Sequence, residues 1–127
     1  MKLNKNLTVE KMYDNNNIFA KILRKEIPCE SVYEDDKVLF LNDINPQAKI
    51  HILGIPKKPV VNYREFISMD DKDFIMHFFQ KTLEIIKNKN LDKTGYRIIT
   101  NDGINSNQEI PHFHIHILGG ENLGGLK

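Results

Sequence analysis

From His112 to Ile117 the chain alternates strictly: His112, His114 and His116 stand at every second position, and Phe113, Ile115 and Ile117 are the residues between and after them. A period of two is the signature of a β-strand, whose successive side chains point to opposite faces. The segment therefore predicts a strand with a buried apolar face and an imidazole face. Three of the chain's five histidines then point the same way from one rigid element. Imidazole titrates nearer neutrality than any other side chain, so such a row suits acid, base, nucleophile or ligand chemistry.

The remaining pattern gives this strand a setting. Asn17 reads as the N-cap of a helix over Ile18–Arg24, with apolar residues at 18, 19, 22 and 23, and Pro28 ends the unit. Ser31–Glu34 and Lys37–Asn42 read as a hairpin about Asp35-Asp36, and residues 43–48 as a loop. Lys49–Ile55 is a further strand closed by Pro56. A loop follows, then an amphipathic helix from Asp70-Asp71 to about Lys89, with apolar residues at 74, 75, 78, 79, 83, 85 and 86. Tyr96–Thr100 is a fourth strand, and the polar loop 101–111 leads into the histidine strand. This order predicts an α+β fold: a five-stranded antiparallel sheet with one long and one short helix, the long one covering one face. A small sheet leaves an edge or face for a partner, so a homodimer is expected.

At 127 residues the chain is a single domain. Residues 1–14 are polar and aperiodic and read as a flexible N-terminal extension, with Met12 a possible start, ahead of one domain over 15–127. Eighteen basic residues against 17 acidic give no electrostatic reason to expect a nucleic-acid partner. No apolar run approaches the ~20 residues of a membrane span, and no secretory signal is visible. The single cysteine, Cys29, cannot form an intramolecular disulfide and reads as a small apolar filler, which fits a cytoplasmic location.

Three kinds of chemistry are open to the histidine row. On a strand, His112 and His114 lie ~6.6 Å apart and His112 and His116 ~13 Å apart. One neighbouring pair could chelate a metal, with His51 as a possible addition, but the outer two would not easily reach one ion. Alternatively the three are polar residues on a wet face. The third reading is catalysis, in which the middle imidazole attacks phosphorus and its neighbours orient it or serve a leaving group. The loop before the strand supplies anion-stabilising donors: Asn101 and the amides near Gly103 and Asn107–Glu109.

The run HFHIHIL resembles the His-x-His-x-His-x-x signature of the histidine-triad (HIT) superfamily of nucleotide hydrolases and transferases. With IFAKILRKEIP, YEDD, NDINPQAKIH, IPKKP, TGYRIITNDG and HILGG, the resemblance spans Ile18 to Gly120. It is greatest to the HINT branch, the purine nucleoside phosphoramidases. The resemblance implies that His114 attacks the α-phosphate and carries the nucleotidyl group. His116 would assist the leaving group, and His112 and His51 would orient the pair. Asp43 would bind the ribose hydroxyls, and Asn101 would lie beside the phosphate. Ile18, Phe19, Ile22, Leu41, Ile44 and Leu53 would wall the nucleobase. The substrate would be an AMP or GMP derivative, with no metal or cofactor. Dinucleoside polyphosphate hydrolases and weakly catalytic nucleotide-binding scaffolds belong to the same superfamily. Without the resemblance, Phe19 and Ile22 read as core, and Asp43 and Asn101 as turn residues.

Two features depart from the family pattern. Asn107-Gln108-Glu109 stands where the family commonly has Gly-Gln followed by Ser or Thr. A carboxylate there repels an anion unless turned away, so the position bears on leaving-group preference. The chain also ends at Lys127, lacks tryptophan, and is expected to carry an abbreviated C-terminal segment.

Overall fold

A computed structural model describes residues 13–126; most of the expected extension, residues 1–12, lies outside the described residues. Helix α1 (Ile18–Leu23) begins where Asn17 accepts the Ala20 N–H at 2.9 Å. Strands β1 (Ser31–Glu34) and β2 (Val38–Asn42) follow. Their turn is closed by Asp35, whose Oδ1 accepts the N–H groups of Lys37 and Val38 at 2.7 and 2.9 Å. Next come β3 (Ile50–Pro56), α2 (Tyr63–Ile67), α3 (Lys72–Asn88) and α4 (Leu91–Thr94), then β4 (Tyr96–Ile99), a short 3-10 turn (Ile104–Ser106) and β5 (Ile115–Gly119).

The five strands form one antiparallel sheet in the order β1-β2-β3-β5-β4, the architecture expected from the element order. Two short helices add to it. Helix α2 is set by a reciprocal cap: Asn62 accepts the Glu65 N–H, and Glu65 accepts the Val61 N–H. This Asn-x-x-Glu signal is legible in the sequence, but a helix burying only Phe66 shows no apolar stripe.

Both sheet faces are covered, which corrects the expectation of a half-buried strand. On one face, Val38, Phe40, Ile52, Ile115 and Ile117 pack against Phe66 of α2, Phe74, Phe78, Ile85 and Ile86 of α3, and Leu91 of α4. On the other, Leu39, Leu41, Leu53 and Ile55 pack against Phe19 and Ile22 of α1. Burial on both faces explains why β2 and β3 read as near-continuous apolar runs rather than alternations. Leu83, assigned to the apolar stripe of α3, is exposed, and Thr82 is buried beside it. Its hydroxyl satisfies itself on the Phe78 carbonyl at 2.8 Å.

Glycine is required at position 54. Gly54 faces Phe40 and Ile115 on its two neighbouring strands, and a Cβ there would come within 2.5 Å of the Phe40 ring.

The histidine segment is only partly strand. The ladder begins at Ile115, so His116 alone of the three is paired in the sheet. His112, at a bend, and His114 precede it outside the ladder, and the period-two alternation survives because Phe113 is pinned. The Phe113 N–H donates to the Val60 carbonyl at 2.8 Å. Its ring stacks on Phe66 at 4.6 Å and lies 5.6 Å from Phe78. Truncating so buried a ring leaves a cavity and releases the segment. Phe113→Ala should lower unfolding free energy by about 3–5 kcal/mol in urea titrations; a loss below about 1 kcal/mol would show that the ring does not anchor the triad.

Candidate active site

The register of β3 against β5 explains how a fourth histidine joins the row. His116 faces Leu53 and His51 faces Leu118, so His51 and His116 are diagonal neighbours on one face. Their rings meet with His51 Nε2 2.9 Å from His116 Nδ1. Asp43 closes this end, its Oδ2 3.4 Å from His51 Nε2 and its Oδ1 accepting the Asn45 N–H at 2.8 Å. At the other end, the edge of Phe19 meets His114 at 4.9 Å.

Hydrogen-bond partners fix the tautomer of each ring, because a backbone carbonyl only accepts and a backbone N–H only donates. His112 donates from Nε2 to the Pro56 carbonyl at 2.9 Å, and its Nδ1 accepts from the Tyr13 hydroxyl. His114 donates from Nδ1 to the His112 carbonyl at 2.7 Å, which leaves the Nε2 lone pair of His114 uncommitted. His51 accepts the Gln47 N–H at Nδ1, 3.0 Å away, so its proton lies on Nε2 and is donated to His116 Nδ1. His116 in turn carries its proton on Nε2. The two central imidazoles thus present opposite chemistry: a lone pair on His114 and an N–H on His116.

Burial keeps these rings neutral, since an apolar surround disfavours the imidazolium. Desolvation lowers the pKa values of His51 and His114 and takes both His112 and His116 to about 4. For His116 the neighbouring His114 and His51 add to the effect.

The site opens into a cleft of about 710 Å³. Its apolar wall includes Ile18, Phe19, Ile22, Leu41 and Leu53, with Ile44 exposed at the mouth. Phe19 and Ile22 are therefore core and wall at once. His51, His114 and His116 reach the cleft together with Asp43, Asn101, Asn107 and Glu109. Of the residues singled out in the sequence, His112 and Gly103 do not line it. His112, at 1% exposure, stands behind His114 as a buried support, and the Gly103 N–H, expected to face an anion, instead donates to Gln108 Oε1 at 3.1 Å. Glu109 is exposed and accepts a hydrogen bond from Asn107 Nδ2 at 3.3 Å.

A HIT domain matches residues 24–123. The chain belongs to the HIT family. An uncharacterized HIT-like protein of Rickettsia prowazekii is 50% identical over 91% of this chain and 96% of its own length. A histidine triad protein from Clostridium difficile superposes with a TM-score of 0.81 at 41% identity, covering 91% of this chain and all of its own. A HIT family hydrolase from Clostridium thermocellum gives the same TM-score at 34% identity, over 89% and 97%.

The triad of this HIT protein rests on groups that no side-chain motif announces. The Gln47 amide and the Pro56 carbonyl are backbone, and Thr100 Oγ1 donates to the His114 carbonyl at 2.8 Å. Tyr13, read as part of the extension, is attached to the domain through His112. An aromatic residue in a polar stretch was the available signal. The ligand-capable atoms of Asp43, His51 and His116 lie within 4.8 Å of one another. The donor chemistry does not fit a cation there: His51 spends Nδ1 on a backbone N–H and carries a proton on Nε2, so it has no lone pair to offer.

These depressed pKa values make stability depend on pH. Between the ordinary 6.5 and about 4 the unfolded chain binds more protons than the folded one. Stability from these rings is then full above pH 6.5 and is lost as pH falls toward 4. Unfolding free energies measured between those limits should decline with acidity, and His112→Asn should flatten the slope. Equal slopes in wild type and variant would contradict a buried neutral His112.

Proposed function

We propose that this HIT protein hydrolyses purine nucleoside 5′-phosphoramidates or related nucleotidyl conjugates at the α-phosphate, through a covalent nucleotidyl-His114 intermediate. The observation that carries the proposal is the commitment of His114 Nδ1–H to the His112 carbonyl. It leaves a neutral Nε2 lone pair in the cleft, on a ring whose centroid is 5.1 Å from that of His116 and its N–H.

The chemistry follows from that pair. His114 Nε2 forms a bond to the α-phosphorus as the phosphorus–nitrogen bond breaks; the departing amine takes the Nε2 proton of His116, and the positive charge gained by the substituted His114 ring offsets the charge that His116 gives up. Water then attacks the phosphorus and the bond to His114 breaks. The water's proton goes to His116 Nε2, so both rings end neutral and in their starting tautomers. His51, held by the Gln47 amide, keeps His116 oriented, and His112 does the same for His114.

Placement supports the remaining roles. The apolar wall suits a purine of AMP or GMP derivatives. Asp43 accepts the Asn45 N–H on Oδ1 and retains lone pairs for ribose hydroxyls, and Asn101 offers an amide to the phosphate. No metal or cofactor enters the scheme. Tyr96 and Ile98, exposed on the edge strand β4, support a homodimer. No described helix is long and apolar enough to cross a membrane, and the free Cys29 is in keeping with a cytoplasmic setting.

With adenosine 5′-phosphoramidate, the wild type should turn over and His114→Ala should lose about a thousandfold or more in kcat while still binding AMP. Retention of the wild-type rate by the variant would overturn the nucleophile assignment.

A further inference from the structure

The charge around the cleft is unusual for a site that takes a phosphoryl group. Among the described residues, no lysine or arginine lines it. Burial leaves its three imidazoles uncharged at neutral pH, so they add no compensating cation. Two carboxylates do line it, Asp43 and Glu109. Asp43 accepts the Asn45 N–H and faces His51, on the side assigned to the ribose. Glu109 has only the neutral amide of Asn107, and among the described residues no lysine or arginine pairs with it.

Geometry says which part of a substrate meets Glu109. Displacement at phosphorus is in line, so the leaving group lies opposite the attacking nitrogen. His114 is buried on the cleft floor, and the apolar wall beside it takes the base. The leaving group therefore points toward the mouth, where the exposed Asn107 and Glu109 stand.

Resting on the phosphoramidase reading, we infer that Glu109 selects the leaving group by charge, favouring amines that bear a second, positively charged group and rejecting anionic ones. Substrates would be nucleotides joined through nitrogen to a diamine or a basic amino compound. Polyphosphate-linked nucleotides, which put further negative charge at the mouth, would be poor. An exposed charge pair is worth a few-fold, and exchanging a cation for an anion counts it twice, so the discrimination attributable to Glu109 is about tenfold.

The test compares kcat/KM for adenosine 5′-phosphoramidates of ethylenediamine, propylamine and β-alanine in wild type and Glu109→Gln. Comparing each substrate across the two enzymes cancels the amines' differing intrinsic leaving abilities. The ethylenediamine-to-β-alanine ratio should fall about tenfold in the variant, with propylamine in between. The wild-type ratio should shrink more than the variant's as salt is raised, because the charge of Glu109 at the mouth is screened. Turnover with the same ratio in both enzymes would overturn the inference and leave the phosphoramidase reading standing. No turnover of any of the three by either enzyme would overturn both.

Discussion

The backbone from His112 to His114 has no strand neighbour, yet it holds the His114 imidazole in one orientation. Hydrogen bonds replace the missing ladder. The Phe113 N–H goes to Val60, the His112 ring to Pro56, the Thr100 hydroxyl to the His114 carbonyl and the His114 ring to the His112 carbonyl. The Phe113 ring, stacked in the aromatic core, clamps the stretch from behind. The same bonds that locate His114 decide which of its nitrogens carries the proton, so positioning and activation are one interaction.

Packing extends this economy to the cleft. Phe19 and Ile22 close the second hydrophobic layer and also form a wall of the cleft. Their apolar surround denies the histidines water, which holds the imidazoles neutral at physiological pH. A neutral row can divide labour, lone pair on one ring and N–H on the next; a protonated row would offer donors alone. Core stability, ligand wall and tautomer control therefore rest on the same few side chains.

Much of this was legible in the sequence. The alternation about Phe113, the Asn17 cap, the Asp35 turn and the stripe of α3 each follow from local rules, and they place the strands in the observed antiparallel sheet. The candidate side chains gathered in one cleft except His112, because burial behind His114 is a tertiary fact that a shared face does not reveal; the Gly103 amide turned instead to Gln108. The unpaired backbone at His112 and His114 was hidden for a similar reason: alternation reports side-chain direction, not strand pairing. The supports of the triad were the least legible. Gln47 and Pro56 act through main-chain atoms that every sequence possesses, and Tyr13 acts across 99 positions.

The account turns on where the protons sit, and nitrogen-15 NMR of the histidine rings at neutral pH reads that directly. The expected spectrum has His114 neutral with its proton on Nδ1 and a bare Nε2, and His51, His112 and His116 neutral with protons on Nε2. A proton on His114 Nε2, or an imidazolium at that position, would contradict it.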